Sequence, residues 1–361
     1  MNNFMRNMMA AAVIATFGFA GQAMSTELVV VSWGGAYTAS QQNAYHAPYM
    51  KKNSGVKIIN DDSAGSAVAK LRAMKQAGNT TWDLVDAVAS DAMMLCDEGL
   101  VDEIDHNSAL ASAPDGTSAT DDFGEFIVSP CFVPQIVYST TFGYRKDKVN
   151  RPMSSICDVF DLKSFPGKRA LEKKPINNLE WALICDGVAP AKVYDVLGTN
   201  AGVKQALAKL DTIKSNVVWW TSGSQTPQLL ADGEVVVGST YNGRLFALIE
   251  EQKQPVAMLW DWQVFDLDGW VVPSGGKNKA ETMKYLKFAT DTQRLADQAK
   301  FISYGPTRAS SAPLVGKHAK LGIDMAPHMP TDPNNSKTTL LFNYEFWADN
   351  RDDLDAKFNA W

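Results

Sequence analysis

The sequence of 361 residues has few of the motifs that mark metal sites or common catalytic centres. Its four cysteines include no C-x-x-C pair and its four histidines include no H-x-x-x-H pair, so a zinc site is not predicted. The patterns G-x-S-x-G, G-x-x-x-x-G-K-[ST] and G-x-G-x-x-G are absent as well. We therefore predict neither a resident metal nor a cofactor, and the enzyme classes that use these motifs are not favoured.

The sequence also has no long basic run and, after residue 25, no long apolar run. Its 34 Lys and Arg stand against 40 Asp and Glu, for a net charge of −6. Because nucleic-acid binding requires clustered basic residues, nucleic acid is not a predicted partner. Hydrophobic residues make up 45% and charged residues 20%, as in ordinary globular proteins. The length suits two domains of roughly 100–200 residues each.

The first residues have the pattern of a secretory signal peptide. Arg6 precedes an apolar run over residues 8–20, and small residues follow up to Ser25. A membrane anchor is the alternative, but the run is shorter than the roughly 20 residues that span a bilayer. We predict cleavage of residues 1–25 and export to the periplasm. An even number of cysteines in an oxidising compartment favours disulfides among Cys96, Cys131, Cys157 and Cys185.

The rest of the chain alternates between strand and helix patterns. Strands are predicted at residues 28–32, 56–60, 83–88, 132–144, 216–220 and 235–239. Helices are predicted at residues 66–78, from Asn200 as cap to residue 213, and at 279–301, with a loop at 107–125. This alternation predicts an α/β fold with helices on both faces of the sheet. No linker divides the chain, so two lobes would share it by crossing back and forth.

Aromatic and acidic residues gather where the predicted strands end. Because ligands bind at the carboxyl ends of strands in open α/β sheets, this grouping predicts a ligand site. Aromatic rings attract an organic cation and carboxylates bind its charged ends, so the ligand would be a small organic amine. For any single Trp, packing in the core is the better interpretation, whereas the group as a whole favours a site. The residues are Trp33, Tyr37, Trp220, Tyr241, Asp266, Asp268 and Tyr304.

Several sequence blocks stand in a fixed order along the chain, among them Val31-Ser32-Trp33-Gly34-Gly35, Trp82-Asp83-Leu84-Val85, Tyr241-Asn242-Gly243-Arg244, Trp270-Val271-Val272-Pro273 and Tyr304-Gly305-Pro306-Thr307. Together they resemble the spermidine/putrescine-binding periplasmic proteins of ABC importers, within the extracellular solute-binding proteins. The resemblance implies a two-lobed, type II-like periplasmic binding protein fold with the ligand cleft between the lobes. It implies a monomer that encloses its ligand by hinge closure, delivers it to a membrane permease and performs no chemistry on it.

The resemblance also implies how the chain is divided and which cysteines pair. Lobe 1 comprises residues 26–142 and 269–315, and lobe 2 comprises residues 143–268 and 316–361. Relatives often carry cysteines at the positions of Cys96 and Cys131, which implies a disulfide between these two. Cys157 and Cys185 then remain as the second pair.

Ligand roles follow from the resemblance position by position. Tyr241 matches the ring that faces the methylene chain of a polyamine, and Asp268 matches the carboxylate that holds an amine. Asp266 stands where the polyamine binders have a Trp, so an acid replaces a ring. Trp33 and Tyr304 match, and Tyr37 is added in the turn after the first strand. Ser90 and Asp91 stand where the polyamine binders show hydroxyl and aromatic residues, Trp220 belongs to a matching block, and Glu180 matches a second-lobe acid more loosely.

The main prediction is therefore a periplasmic binder of a polyamine or a related small amine, and two alternatives stay open. Arg244 could pair with a ligand carboxylate, which would suit an amino acid or betaine such as γ-aminobutyrate, although a solvated helix residue is the preferred interpretation. An exported hydrolase is the other alternative, since Asp266 and Asp268 at positions i and i+2 of a strand point the same way. The lack of a nucleophile or metal motif disfavours the hydrolase.

Overall fold

The computed structural model describes residues 25–361. The predicted signal peptide lies outside the described residues except for Ser25. Among residues 25–361, no helix has both the length and the apolar composition that crossing a bilayer requires.

The described residues form strands and helices in alternation. The strands are β1 (Thr26–Val31), β2 (Val56–Asp61), β3 (Leu84–Val88), β4 (Val133–Arg145), β5 (Arg169–Glu172), β6 (Val217–Trp220), β7 (Val237–Tyr241), β8 (Val256–Val271), β9 (Gly305–Pro306) and β10 (Thr339–Leu341). The α-helices are α1 (Gly35–Gln41), α2 (Ala47–Lys52), α3 (Ala67–Ala77), α4 (Ala89–Asp97), α5 (His106–Ala109), α6 (Ala119–Phe123), α7 (Asn178–Cys185), α8 (Val193–Leu197), α9 (Asn200–Asp211), α10 (Gln225–Ala231), α11 (Asn242–Phe246), α12 (Lys279–Ala289), α13 (Thr292–Gln298) and α14 (Tyr344–Ala360).

The strands join into one continuous sheet whose centre is an antiparallel pair of long strands. The order is β2-β1-β3-β8-β4-β7-β5-β6, with β10 beside β8 and β9 beside β4. On one side of the pair, β1 runs parallel to β2 and β3; on the other, β5 runs parallel to β6 and β7. The long strands β4 and β8 pair along most of their length and therefore tie the two parallel halves together.

Hydrophobic cores lie on both sides of this central pair. One core is built around Trp181 and Trp347, with α7, α9 and α14 packed together. Another surrounds Trp270 and Tyr285, with β1 and α12. The alternating α/β fold class is thus confirmed. The predicted bounds of the lobes stay a prediction.

Local signals account for most element ends, and three expectations need correction. The segment predicted as a loop at 107–125 contains most of the short helix α5 and all of α6. Helix α3 ends at Gly78, whose φ of 62° is the left-handed conformation that glycine adopts most easily. Helix α9 is capped by Thr199, whose hydroxyl accepts from Gly202 N, and not by Asn200. The single helix predicted at 279–301 is two helices, because Asp291 caps a new one at α13.

Two disulfides stabilise the fold. Cys96 at the end of α4 bonds to Cys131, just before β4, with a Cα–Cα distance of 5.7 Å. Cys157 bonds to Cys185 at the end of α7, with a Cα–Cα distance of 5.2 Å. These are the pairs that the resemblance implied, and each links segments within one core region.

Candidate functional site

A cavity of about 250 Å³ opens where the central strands β4 and β8 meet the ends of β1, β3, β5, β6 and β7. Its walls come from both halves of the sheet. The lining residues are Trp33, Tyr37, Asp62, Gly65, Val88, Ile136, Tyr138, Glu172, Lys174, Thr221, Ser222, Gly223, Tyr241, Arg244, Asp268 and Tyr304.

Aromatic rings form a large part of the cavity wall. Tyr138 packs edge-on against Tyr241, with 5.5 Å between ring centroids, and lies 6.1 Å from Tyr304. Tyr37 lies 5.9 Å from Tyr304, and Trp33 packs against the same cluster. These rings provide the apolar and cation-attracting surface that an organic amine requires.

One carboxylate faces the cavity with an open hydrogen-bonding position. Asp268 on β8 is only 4% exposed, and its Oδ1 has no hydrogen-bond partner among residues 25–361. Burial raises the pKa of its carboxyl well above the usual range, and the nearby Asp86 and Asp266 carboxyls raise it further. A buried acceptor without a partner is costly, so the position favours a ligand that donates hydrogen bonds and carries positive charge.

A guanidinium group faces the same cavity. Arg244 lies on α11, two residues after that helix begins at the end of β7. Its Nε is buried and has no partner within the described part of the chain, while its Nη2 lies 3.5 Å from Trp33 O. The guanidinium also approaches the Tyr241 ring, with 5.9 Å to the ring centroid.

Two features of the backbone bring Arg244 to this position. Asn242 at the start of α11 accepts a hydrogen bond from Ser139 N at 3.0 Å and donates one to Ser303 O at 2.6 Å. These bonds fix the helix start to two neighbouring segments. The turn after β1 leaves space for the guanidinium, because Gly35 has a φ of 59° and a Cβ there would lie 3.3 Å from Arg244 Nη1.

The remaining charged residues of the cavity have partners of their own. Lys174 and Glu172 form an ion pair at 3.1 Å, and Asp62 accepts a hydrogen bond from Thr38 at 2.7 Å. Asp268 and Arg244 are therefore the charged side chains that present unpartnered polar atoms to the cavity. An anion and a cation in one aromatic cavity suit a ligand with one charge of each sign.

Comparison with known proteins identifies the family. Residues 44–331 match the model of a family described as bacterial extracellular solute-binding protein. The chain belongs to this family. A relative in Pseudomonas aeruginosa, the gamma-aminobutyric acid-binding protein, is 35% identical over 345 residues, which cover 96% of this chain and 93% of that protein.

Solved structures with the same two-lobed fold include two with known ligands in their names. The structure of the Atu4243-GABA receptor is 31% identical, with a TM-score of 0.78, and covers 93% of this chain and 97% of its own. The binding protein AgtB from A. tumefaciens R10, in complex with agropinic acid, is 29% identical, with a TM-score of 0.79. The match covers 93% of this chain and 98% of the AgtB chain. This solute-binding protein is thus not an enzyme. Proteins of its family bind small ligands and deliver them to permeases of ABC transporters.

Five of the ten predicted ligand residues line the cavity of this solute-binding protein. They are Trp33, Tyr37, Tyr241, Asp268 and Tyr304. Trp33, Tyr37 and Tyr241 follow or end a strand, as the rule on strand ends predicts. Asp268 lies within β8, opposite the last residue of β3, and Tyr304 directly precedes β9.

Ser90 and Asp91 lie outside the cavity lining and bond to Arg351 of α14. Glu180 is fully buried in the core beside α14, where it accepts a hydrogen bond from Trp347 Nε1 at 2.8 Å. The structure therefore places these three acidic and polar side chains in contacts within the protein, and both contacts involve the C-terminal helix.

Trp220 and Asp266 also lie outside the lining, directly behind it. Trp220 is 1% exposed and packs edge-on against Tyr241, with 6.2 Å between the ring centroids. Asp266 accepts a hydrogen bond from Tyr138 OH at 2.6 Å. The Asp266 carboxylate thus holds a wall residue in place, and it does not share the cavity with Asp268 as an acid and base pair would.

Sequence reasoning missed several lining residues, among them Tyr138, Glu172 and Lys174. Tyr138 lies in the predicted crossing strand, opposite Asp266 in the register of β4 and β8. Its role could have been found only by pairing these strands, which are far apart in the sequence. Glu172 ends β5, a strand that the sequence analysis did not single out.

Proposed function

We propose that the protein captures γ-aminobutyrate or a closely related ω-amino acid and delivers it to the permease of an ABC importer. The ligand is enclosed in the cavity by hinge closure, in the periplasm, after removal of the signal peptide. The observation that carries the proposal is the pair of unpartnered polar atoms, Asp268 Oδ1 and Arg244 Nε, at one cavity.

The ammonium group of the ligand would bind at Asp268. Its N–H groups donate charge-assisted hydrogen bonds to the open Oδ1, and the neighbouring rings of Trp33 and Tyr37 surround the cation. The methylene chain would lie against Tyr241 and Tyr304, where its burial is favourable.

The carboxylate group of the ligand would bind at Arg244. A planar guanidinium suits a carboxylate because several N–H groups donate in one plane. The two relatives named for γ-aminobutyrate, at 35% and 31% identity, support this class of ligand. A polyamine would bring a second cation toward this guanidinium, which is unfavourable.

The test is calorimetric titration with four ligands that share a four-carbon chain: γ-aminobutyrate, putrescine, butyrate and n-butylamine. Each charge-assisted contact contributes about 1.5–3 kcal/mol. We therefore expect γ-aminobutyrate to bind at least about tenfold more tightly than each of the other three. Tighter binding of putrescine than of γ-aminobutyrate would contradict the proposal.

A polyamine is the second candidate, and the number of acids near the cavity favours it. Asp62, Glu172 and Asp268 line the cavity, with Asp266 behind its wall. Spermidine added to the same titrations separates the two candidates, because its second cation could bind Asp62, or Glu172 after displacing Lys174, whereas γ-aminobutyrate has no second cation.

Small-angle scattering tests hinge closure. If the ligand contacts both lobes, it favours the closed state by its difference in affinity for the two states. We expect a smaller radius of gyration at saturating ligand than in the free protein.

A further inference from the structure

A second buried carboxylate lies behind Asp268 and belongs to no contact described so far. Asp86 on β3 is 0% exposed. In the antiparallel register of β3 and β8, Asp86 lies opposite Trp270 and Val88 lies opposite Asp268. Asp86 and Asp268 are therefore diagonal neighbours on the same face of the sheet, within reach of each other's charge.

The surroundings of Asp86 are polar but bring no positive charge. Gln41 Nε2 donates to both carboxylate oxygens at 2.9 Å, and Ser32 in turn donates to Gln41 Oε1 at 2.7 Å. The ion pairs found among residues 25–361 include neither Asp86 nor Asp268.

Two buried carboxyls this close cannot both ionise easily. Burial raises the pKa of Asp86, against the hydrogen bonds from Gln41 and Ser32. Burial raises the pKa of Asp268 too, and the charge of Asp86 raises it further. Such a pair loses its protons in two coupled steps, and between these steps it holds one proton.

Of the other groups that face the pair, the tyrosines neither gain nor lose a proton near neutral pH. Tyrosines approach from α1, from the segment 42–46, from α12 and from the segment before β9, and burial raises the pKa of each above its usual value. Asp266 on β8 lies on the far side of Asp268, where burial raises its pKa to about 7 against the hydrogen bond from Tyr138. Asp266 therefore titrates in the same pH range, and only the proton release that Asp86→Asn abolishes is assigned to the pair. The tyrosines that approach the pair of carboxyls are Tyr37, Tyr45, Tyr285 and Tyr304.

We propose that Asp86 is a further recognition residue, which shares one proton with Asp268 in the empty site and becomes fully ionised when the ligand's ammonium group displaces that proton. The displaced proton passes to the solvent and the ammonium keeps its own protons, so charge and atoms balance. This proposal rests on the proposed function, since it requires an ammonium group at Asp268.

The arrangement selects for a cation. A neutral isostere cannot stabilise two adjacent carboxylates, so it leaves the proton in place and gains nothing from Asp86. An ammonium group at Asp268 is attracted by two negative charges instead of one. The charge of Asp86 acts on it at a distance, from behind Asp268. Affinity should therefore rise with pH over the range in which the empty pair is protonated, by up to about tenfold per pH unit.

The test is calorimetric titration of γ-aminobutyrate into the wild-type protein at one pH, in buffers with different ionisation enthalpies. The ligand's own groups do not titrate between about pH 6 and pH 8, so buffer dependence reports protons released by the protein. We expect about one proton released per ligand near the lower end of this range. Asp86→Asn should release about none, and its affinity should change less than about twofold over the same range.

Glu180→Gln is the matched control, because it removes a buried acid that lies outside the cavity lining. It should keep the proton release of the wild type. Tight binding with a heat that does not depend on the buffer would overturn the proposal and leave the proposed function standing, as would proton release retained by Asp86→Asn. The absence of binding by γ-aminobutyrate and by putrescine would refute the proposed function and this proposal with it. If Asp86→Asn fails to fold, a wild-type heat that does not depend on the buffer still overturns the proposal, and Asp86→Ser takes the place of Asp86→Asn in assigning any proton release.

Discussion

Replacing Arg244 with Gln should remove the preference for amino acids while leaving the binding of simple amines nearly unchanged. Gln keeps hydrogen-bonding groups on a similar stem but carries no charge. In the structure, the guanidinium has a buried Nε that bonds to no described residue and a long contact to Trp33 O. The change therefore removes little that stabilises the free protein.

The magnitude follows from the contacts that the variant loses. Removing one partner of an enclosed charge pair costs about 2–5 kcal/mol of binding, because the other charge is left unpaired. Arg244 is partly exposed, so the lower part of this range applies. We expect a loss of about 2–3 kcal/mol for γ-aminobutyrate, or roughly 30- to 160-fold in affinity.

The assay is calorimetric titration of wild type and variant with γ-aminobutyrate and with n-butylamine, which lacks the carboxylate. The affinity for n-butylamine should change by less than about threefold. Arg151→Gln is the matched control, since Arg151 is 55% exposed, pairs with Asp158 at 3.6 Å and does not line the cavity. Equal losses for both ligands would refute the reasoning, because Arg244 would then act on the shape of the cavity and not on the ligand's carboxylate.

Four further changes test the site and the core around it. Asp268→Asn should weaken binding of any amine by about 2–4 kcal/mol in calorimetry, and near-native affinity would remove the residue from the site. Tyr241→Ala should cost about 1–3 kcal/mol of binding through lost cation–π attraction and apolar contact, provided that circular dichroism confirms folding. Arg351→Ala breaks the ion pair of α14 with Asp91 and should lower the free energy of unfolding by about 1 kcal/mol in denaturant titrations, and an unchanged midpoint would contradict this. Burial raises the pKa of Glu180 from 4.5 to about 7, so its contribution to stability is complete below pH 4.5 and is lost as the pH rises through 7. Glu180→Gln should therefore gain up to about 3 kcal/mol in free energy of unfolding relative to wild type between these limits, and a parallel pH dependence of the two proteins would contradict this.

Most parallel strands of the fold were predictable because each is a short apolar run with a turn after it. The strand β5 was missed, since Arg169 and Glu172 leave it no apolar run. The structure places β2 at Val56–Asp61 and β3 at Leu84–Val88, within one residue of the predictions. The long strand β8 was missed over most of its length. Polar residues such as Asp261 and Gln263 interrupt its apolar pattern, and Trp262 has a φ of 49°, which breaks the regular alternation.

The candidate site was predictable where a side chain sits at a strand end. The site was not predictable where the side chain forms a hydrogen bond or ion pair with a residue that is far away in the sequence. Asp91 has the position of a ligand residue at the end of β3, yet Arg351, 260 residues away, bonds to it. Glu180 is bonded in the same way by Trp347, 167 residues away. Neither pairing leaves a local signal in the sequence.

Asp266 stands where the polyamine binders have a Trp. The contacts of Asp266 in the structure make this exchange favour an amino acid as ligand over a polyamine. In sequence this exchange adds a second acid beside Asp268, which suits a ligand with two cations. In the structure, Tyr138 donates its hydroxyl hydrogen bond to Asp266, so that carboxylate is occupied and the Tyr138 ring lines the cavity. The cavity thus keeps an aromatic wall and one open carboxylate, and Arg244 adds a cation. Because the open groups carry one charge of each sign, a zwitterion satisfies both, whereas a diamine would leave the guanidinium facing a like charge.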